Sequence, residues 1–349
     1  MSKPRIAVLA LGGTISMVKP EAGESGVKPG LGAEELIAAV PGIEQVAELS
    51  ARTISKIGSS DLTVDAVLTV AEAIEELVDA NAVDGVVVTQ GTDTMEESSF
   101  LLDLALNVDI PVAVTGAMRN PLAISHDGPG NVLAAVQVVA DASVRARAKE
   151  LGVMVVMLDQ IHAAVDVAKA NSHRIDAFAS PEAGPLGILI EDRVRLTGTP
   201  VRTHKHALDK ALSGRRVTGL PDRRVSVALQ TMSMGERGAW LQALADDPES
   251  FGYCGLIIGA TGGGHTPEWT VDTLSSLVAK MPVVMAGRMQ SGYLLAKTYG
   301  RPGSEIDLLG RGVVSAGRLP PLKARLLLTV MLMAELQKSE MDEVWACLN

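Results

Sequence analysis

The chain has 349 residues, room for two domains or one large one, and its 47% apolar content excludes a disordered chain. A formal net charge of -10 argues against a nucleic-acid or anionic-membrane surface, and no apolar run approaches bilayer length. With 3% aromatic residues the core must be Val, Leu, Ile, Ala and Met, and two cysteines, Cys254 and Cys347, make no disulfide framework and fit a reducing, cytoplasmic compartment.

Taken in chain order, residues 6–11 read as a buried strand running straight into Gly12-Gly13-Thr14. The opening run is short and lacks a cleavage site, so it is a first strand and not a signal peptide. The glycines permit backbone conformations that other residues resist, and close approach of a ligand; the plain alternative is a tight turn. Residues 19–32, rich in Gly, Pro, Lys and Glu, read as a long mobile loop, of the kind that is either a lid or disordered. A short helix over 34–40 and a strand over 46–57 follow. The strand ends at Gly58-Ser59-Ser60-Asp61, with Asp61 the expected N-cap of a helix over 63–81.

The stretch 86–99, VVVTQGTDTMEESS, organises the rest. Val86-Val87-Val88 has the character of a buried strand, and it stops at Gly91-Thr92-Asp93. A helix pattern follows, with Glu96 and Glu97 in its first turn, where the helix dipole favours negative charge. A hydroxyl and a carboxylate thus stand where a buried strand becomes a helix, and open α/β sheets bind ligands beyond the carboxyl ends of their strands. Next come a helix over 94–106, a strand over 111–115 ending in Gly116, a helix from Asp127 to 141 and a strand over 153–158. The alternation predicts an α/β fold with a doubly wound, mostly parallel sheet.

Beyond it, Lys169 lies in a polar stretch, where a lone lysine is ordinarily a solvated charge. His204 and His206 invite a metal reading, but no carboxylate or cysteine stands at ligand spacing, so they read as a surface loop. The expected organisation is a larger N-terminal catalytic domain over 1–205, a linker over 206–224 and a smaller C-terminal α/β domain over 225–349. The last has strands over 225–229, 255–259 and 283–286 and a Pro-opened helix over 320–336.

If the strands run parallel, Thr14, Ser59, Thr92, Asp93 and the Gly116 turn converge on one sheet edge. That set suits attack on a carbonyl. A threonine hydroxyl becomes a nucleophile when a base removes its proton, and turn N–H groups hold the oxyanion. A lysine withdrawn from water can act as that base, and Lys169 is the candidate. Each hydroxyl alone fits a capping role equally well. A phosphate site at Gly12-Gly13-Thr14 or Gly262-Gly263-Gly264 competes, but neither G-x-G-x-x-G nor a P-loop is present.

Leu11-Gly12-Gly13-Thr14-Ile15-Ser16 and Gln90-Gly91-Thr92-Asp93-Thr94-Met95-Glu96-Glu97 closely resemble the two signatures of bacterial-type L-asparaginases. Gly58-Ser59-Ser60-Asp61, Thr115-Gly116-Ala117-Met118-Arg119, Asp127-Gly128-Pro129-Gly130-Asn131, Asp166-Val167-Ala168-Lys169 and Pro320-Pro321-Leu322-Lys323 also look like that family, in its order. The resemblance implies conversion of L-asparagine to L-aspartate and ammonia without metal or cofactor. It implies Thr14 as the acyl-accepting nucleophile, with Thr92, Asp93 and Lys169 as the second threonine and its aspartate and lysine. Asp93 would grip the substrate's α-amino group and Ser59 its α-carboxylate, with Ser60 and Gly91 beside them. It further implies a homotetramer built from close dimers, each site completed by His265 and Glu305 of a neighbour. No nucleic acid or membrane is implied as a partner.

The sequence departs from the family in three places. Many members carry a lid tyrosine paired with the first threonine; residues 23–32 have none, Gly26 falls near its place, and Tyr293 or Tyr299 remain as alternatives. Ser60 stands where glutamine is common, and His265 where some members have asparagine. These changes surround the substrate's α-substituents and keep glutamine, D-asparagine or an α-substituted amide open. An ammonia-supplying amidotransferase subunit predicts an added N-terminal domain, against which the start at the first strand counts. A non-catalytic binding relative would lose a threonine or the lysine, yet Thr14, Thr92 and Lys169 are all present.

Overall fold

The β-branched and apolar runs of the sequence become the inner strands of two sheets. In this computed structural model residues 2–18, 28–221 and 224–349 are described. The chain divides into two units, Met1–Val201 and Arg202–Asn349.

The larger unit is built on an eight-stranded sheet. Its strands are β1 (Arg5–Gly12), β2 (Glu48–Ile57), β3 (Gly85–Thr89), β4 (Val112–Thr115), β5 (Val153–Met157), β6 (Gln160–Ala163), β7 (Gly187–Ile190) and β8 (Arg193–Leu196). They lie in the order β8-β7-β6-β5-β4-β3-β1-β2. The pairs from β2 through β5 are parallel, and β6, β7 and β8 extend the sheet antiparallel. Val86, Val87 and Val88 are fully buried, as a parallel strand covered on both faces must be. Helices α1 (Val64–Asp79), α2 (Met95–Ala105) and α3 (Gly128–Ala140) follow β2, β3 and β4. The third packs across β3, β4 and β5.

This order positions the site. The chain leaves β1 to one side for β2 and then crosses to the other side for β3, so β1 lies between them. Such a reversal opens a crevice at the carboxyl ends of the strands, here between β1 and β3. The register Ala10↔Thr89 and Thr89↔Thr115 brings three strand ends level.

The smaller unit holds a four-stranded parallel sheet in sequence order. Its strands are β9 (Val227–Thr231), β10 (Gly255–Ala260), β11 (Val283–Gly287) and β12 (Val314–Ser315). The Pro-opened helix, Pro321–Met333, packs against β9, β10 and β11 and is buried along most of its length. Among the described residues no helix is long and apolar enough to cross a membrane.

Three expectations are corrected. The expected linker over 206–224 contains most of a helix, Thr203–Leu212, and the division falls at 201/202, not at 205. His204, Leu208 and Leu212 recur every fourth residue and are buried, an apolar stripe hidden by the surrounding charges. His204 and His206 therefore sit on a helix and not in a surface loop. The N-cap of α1 is Thr63, whose hydroxyl accepts the Ala66 N–H at 3.1 Å, while Asp61 ends a 3-10 turn over Ser59–Asp61.

His162 on β6 is paired opposite Val155 and buried, with Nδ1 3.0 Å from Ser180 Oγ. Burial pushes its pKa down to about 4 from 6.5. Between those values the unfolded chain binds the proton and the folded protein does not, so stability rises with pH there. Lowering the pH from about 6.5 to 4 is expected to cost on the order of 3 kcal/mol through this residue. Urea unfolding across that window should be flatter in His162→Leu than in the parent.

Candidate active site

Glycines let the strand ends touch. Gly13, at φ 84° and ψ -171°, occupies a region that essentially only glycine enters. A Cβ there would fall 2.1 Å from Gly91 N and 2.2 Å from its Cα. A Cβ on Gly91 would lie 2.7 Å from Ser59 Oγ, and one on Gly116 2.5 Å from the Gln90 carbonyl oxygen. The turns after β1 and β3, and those after β3 and β4, are thus in direct backbone contact, and the turn after β2 meets Gly91 through the Ser59 side chain. Thr14, half-buried, starts the 3-10 turn one residue beyond Gly13, and Thr92, buried, stands one residue beyond Gly91.

Lys169 reaches this cluster from a short antiparallel arm, Ala168–Lys169 paired with Phe178–Ala179. Its Nζ donates to Thr92 Oγ1 at 2.9 Å and to Asp93 Oδ1 at 2.6 Å. Its backbone N–H donates to Glu96 Oε2 at 3.3 Å. The lysine side chain is 11% exposed and that of Asp93 68%, so water screens one partner of the ion pair. The Lys169 hydrogen bond holds the Asp93 carboxyl below its usual range; partial burial opposes this, and the lysine's charge and the Ser59 hydroxyl reinforce it. Ser59 Oγ accepts the Asp93 N–H at 3.1 Å and lies 3.4 Å from Asp93 Oδ2, while its carbonyl accepts the Thr94 hydroxyl at 2.8 Å.

Buried amides fix the turns from behind. Gln90 Oε1 accepts the Ser98 hydroxyl at 2.8 Å, and its Nε2 donates to the Gly91 carbonyl at 3.2 Å. Asn131 Nδ2 donates to the Gly116 carbonyl and to Asp127 Oδ2, both at 3.0 Å. Asp127 in turn accepts the N–H groups of Met118 and Arg119. Sequence reading passed over Gln90, Ser98 and Glu96. An uncharged polar residue directly after a fully apolar strand was the available sign for Gln90, and Glu96 had been credited only to the helix dipole.

Ser59, Gly91, Thr92, Asp93 and Lys169 are in mutual contact, and Gly13 joins Thr14 to them. Ser60 is exposed on its turn. In the smaller unit, His265 Nε2 lies 3.2 Å from Glu305 Oε2, and Glu305 Oε1 accepts the N–H groups of Thr298 at 2.9 Å and Tyr299 at 2.6 Å. Burial opposes ionisation of Glu305. The N–H groups of Tyr299, Thr298 and Glu305 itself, with the charge of His265, outweigh it and hold the carboxyl below its usual range. Tyr299 meets His265 edge-on at 4.9 Å, and Tyr293 is exposed. Gly26 lies outside the described residues. Among those described, no group of three or more His, Cys, Asp or Glu is placed to hold a metal ion.

A family model described as Asparaginase, N-terminal matches residues 5–202, and one described as Glutaminase/Asparaginase C-terminal domain matches residues 226–344. Over 347 residues the chain is 33% identical to L-asparaginase 2 of Escherichia coli (strain K12), which spans 99% of this chain and 93% of that protein. It is 29% identical over 343 residues to the glutaminase-asparaginase of Pseudomonas fluorescens biotype A, with 97% and 89% covered. The crystal structure of a probable cytoplasmic L-asparaginase from Campylobacter jejuni matches with a TM-score of 0.81 at 31% identity over 99% of both chains.

Two outcomes follow from this geometry. Gly13→Ala should lose about 1–3 kcal/mol in backbone strain alone, and more from collision with Gly91, seen as a lower urea midpoint. In Lys169→Met the Asp93 carboxyl, followed by NMR titration, should move back up toward its ordinary value of about 3.9. An unmoved Asp93 would mean that the lysine is not what holds it down.

Proposed function

Since the chain belongs to the asparaginase family, amidohydrolases acting on linear amides, we propose that it converts L-asparagine to L-aspartate and ammonia through a threonine nucleophile. The observation that carries this reading is the Lys169 Nζ placed on both Thr92 Oγ1 and Asp93 Oδ1, beside the turn that presents Thr14. Thr14 Oγ1 attacks the side-chain amide carbon. The C–O bond forms as the hydroxyl proton passes through the Thr92 hydroxyl, which the Lys169 ammonium polarises, to the leaving nitrogen, and ammonia departs as the C–N bond breaks. Water then attacks the acyl-threonine ester, releasing aspartate and returning the proton to Thr14. Turn N–H groups hold the oxyanion in both steps.

Asp93, ionised and largely in solvent, is the partner for the substrate's α-ammonium group. Ser59 holds the α-carboxylate, with Ser60 and Gly91 lining the same place. L-Glutamine is the second substrate in this reading, supported by the name of the Pseudomonas relative. We assign the chain to the cytoplasm, in keeping with the exposed, unpaired Cys254 and Cys347 and the description of the Campylobacter relative. The assembly in this reading is a tetramer of two close dimers, in which His265 and Glu305 serve a neighbour's site.

Ammonia release from L-asparagine, D-asparagine, L-glutamine and α-blocked amides tests the reading. Thr14→Ala, Thr92→Val and Lys169→Met should each lose about 10²–10⁴-fold in kcat. Full activity in Thr14→Ala would remove it as nucleophile. Activity confined to D-asparagine or an α-blocked amide would keep the chemistry and change the substrate.

A further inference from the structure

Lys169 is the one member of the cluster that does not stand at the end of a strand of the eight-stranded sheet, and besides its bonds to Thr92, Asp93 and Glu96 its place depends on the arm that carries it. Its arm is a pair of two-residue strands, far too short to be stable by itself. The tip of the arm, Ser172 to Arg174, is exposed; the outgoing limb starts from buried Val167, whose N–H donates to the Ala163 carbonyl at 2.9 Å, and the return limb is buried through Ala177 and Phe178. Ser180 follows that limb directly. Its hydroxyl lies 3.0 Å from Nδ1 of His162, and both side chains are buried. His162 belongs to β6, where it pairs with Val155 of β5, so it is rooted in the sheet.

The imidazole is a costly way to fill this position. Its Nε2 is buried and has no hydrogen-bond partner among the described residues. A buried polar atom left unmatched is destabilising, and an apolar side chain of similar shape would avoid the penalty. What the imidazole supplies in return is the bond to Ser180. Because burial keeps the ring neutral, that bond persists across the working pH range.

We propose that His162 and Ser180 are positioning residues whose buried hydrogen bond anchors the arm to the sheet and so sets the reach of Lys169 Nζ to the Thr92 hydroxyl. The proposal rests on the role given to Lys169 above. Misplacement of a reacting group by about an ångström costs up to about a hundredfold in rate, so the anchor acts on turnover. Asp93, assigned above to the substrate's α-ammonium group, is also bonded by Lys169 through its carboxylate. Its backbone N–H, however, is fixed by Ser59 and most of its side chain is in solvent, so the loss falls more on kcat than on KM.

The test uses ammonia release by the full chain from the amide that the parent turns over. Ser180→Ala should lower kcat by about tenfold while KM stays within about twofold, and Ser180→Thr, which keeps the hydroxyl, should restore it. Combined with Lys169→Met, Ser180→Ala should change kcat by less than about twofold, because the group it positions is gone. Ser180→Ala at parental kcat, or an equal loss on both backgrounds, overturns the proposal. Parental turnover in Lys169→Met overturns the role of Lys169, and the anchor with it, whatever Ser180→Ala does. Should Ser180→Ala fail to fold, His162→Asn retains a polar atom near the Nδ1 position and should keep turnover that His162→Leu loses. Equal turnover in those two also overturns the proposal.

Discussion

Everything at this site depends on two backbones that touch. Gly13 and Gly91 approach so closely that no side chain fits between them. Neighbouring parallel strands are held apart by their hydrogen-bond spacing, and side chains at their ends normally keep the following turns apart as well. Removing the Cβ at both positions lets the turn after β1 rest on the turn after β3. The backbones of Thr14 and Thr92 are thereby fixed, and only the χ1 rotamer of each remains to place its hydroxyl. Gly91 also packs directly on the Ser59 side chain, which draws in the turn after β2.

Charge then divides the work of the cluster. Lys169 is almost wholly enclosed, and it gives hydrogen bonds to one neutral oxygen and one ionised one. Asp93 balances it from the solvent side and keeps part of its carboxylate outward. A buried cation without that partner would be expensive, and a fully buried partner would have nothing left for a cationic ligand. The half-exposed arrangement gives the lysine a counter-ion and leaves the aspartate available.

The sequence made the parallel core and the strand-end cluster legible because both depend on local signals. Val86-Val87-Val88 could only be a buried strand, and glycines followed by hydroxyls mark strand ends wherever they fall. Three things were not legible. The helix over Thr203–Leu212 was masked by its own charges, since its buried stripe runs through a histidine. Thr63 displaced Asp61 as cap because the choice rests on backbone angles at the turn, to which both residue types are suited. The His162–Ser180 bond joins residues 18 apart across a hairpin and an arm, and nothing near either residue announces it.

The arm that delivers Lys169 also bears on how the protein comes to be folded. Thr92 and Lys169 are 77 residues apart in the chain, whereas all the parallel strand pairs of the larger unit are complete by β5. Contacts between residues far apart in sequence carry the loop-closure cost that slows folding. A chain that has paired the parallel strands of the larger unit but has not yet docked the arm already holds the turns of Thr14 and Thr92 together and lacks the lysine on Thr92 and Asp93. The Lys169–Thr92 contact therefore forms among the last in the larger unit, after the residues beyond Phe178 have found the sheet. In a refolding experiment the Lys169–Asp93 contact would lag behind secondary structure and report the docking of the arm, not the formation of the core.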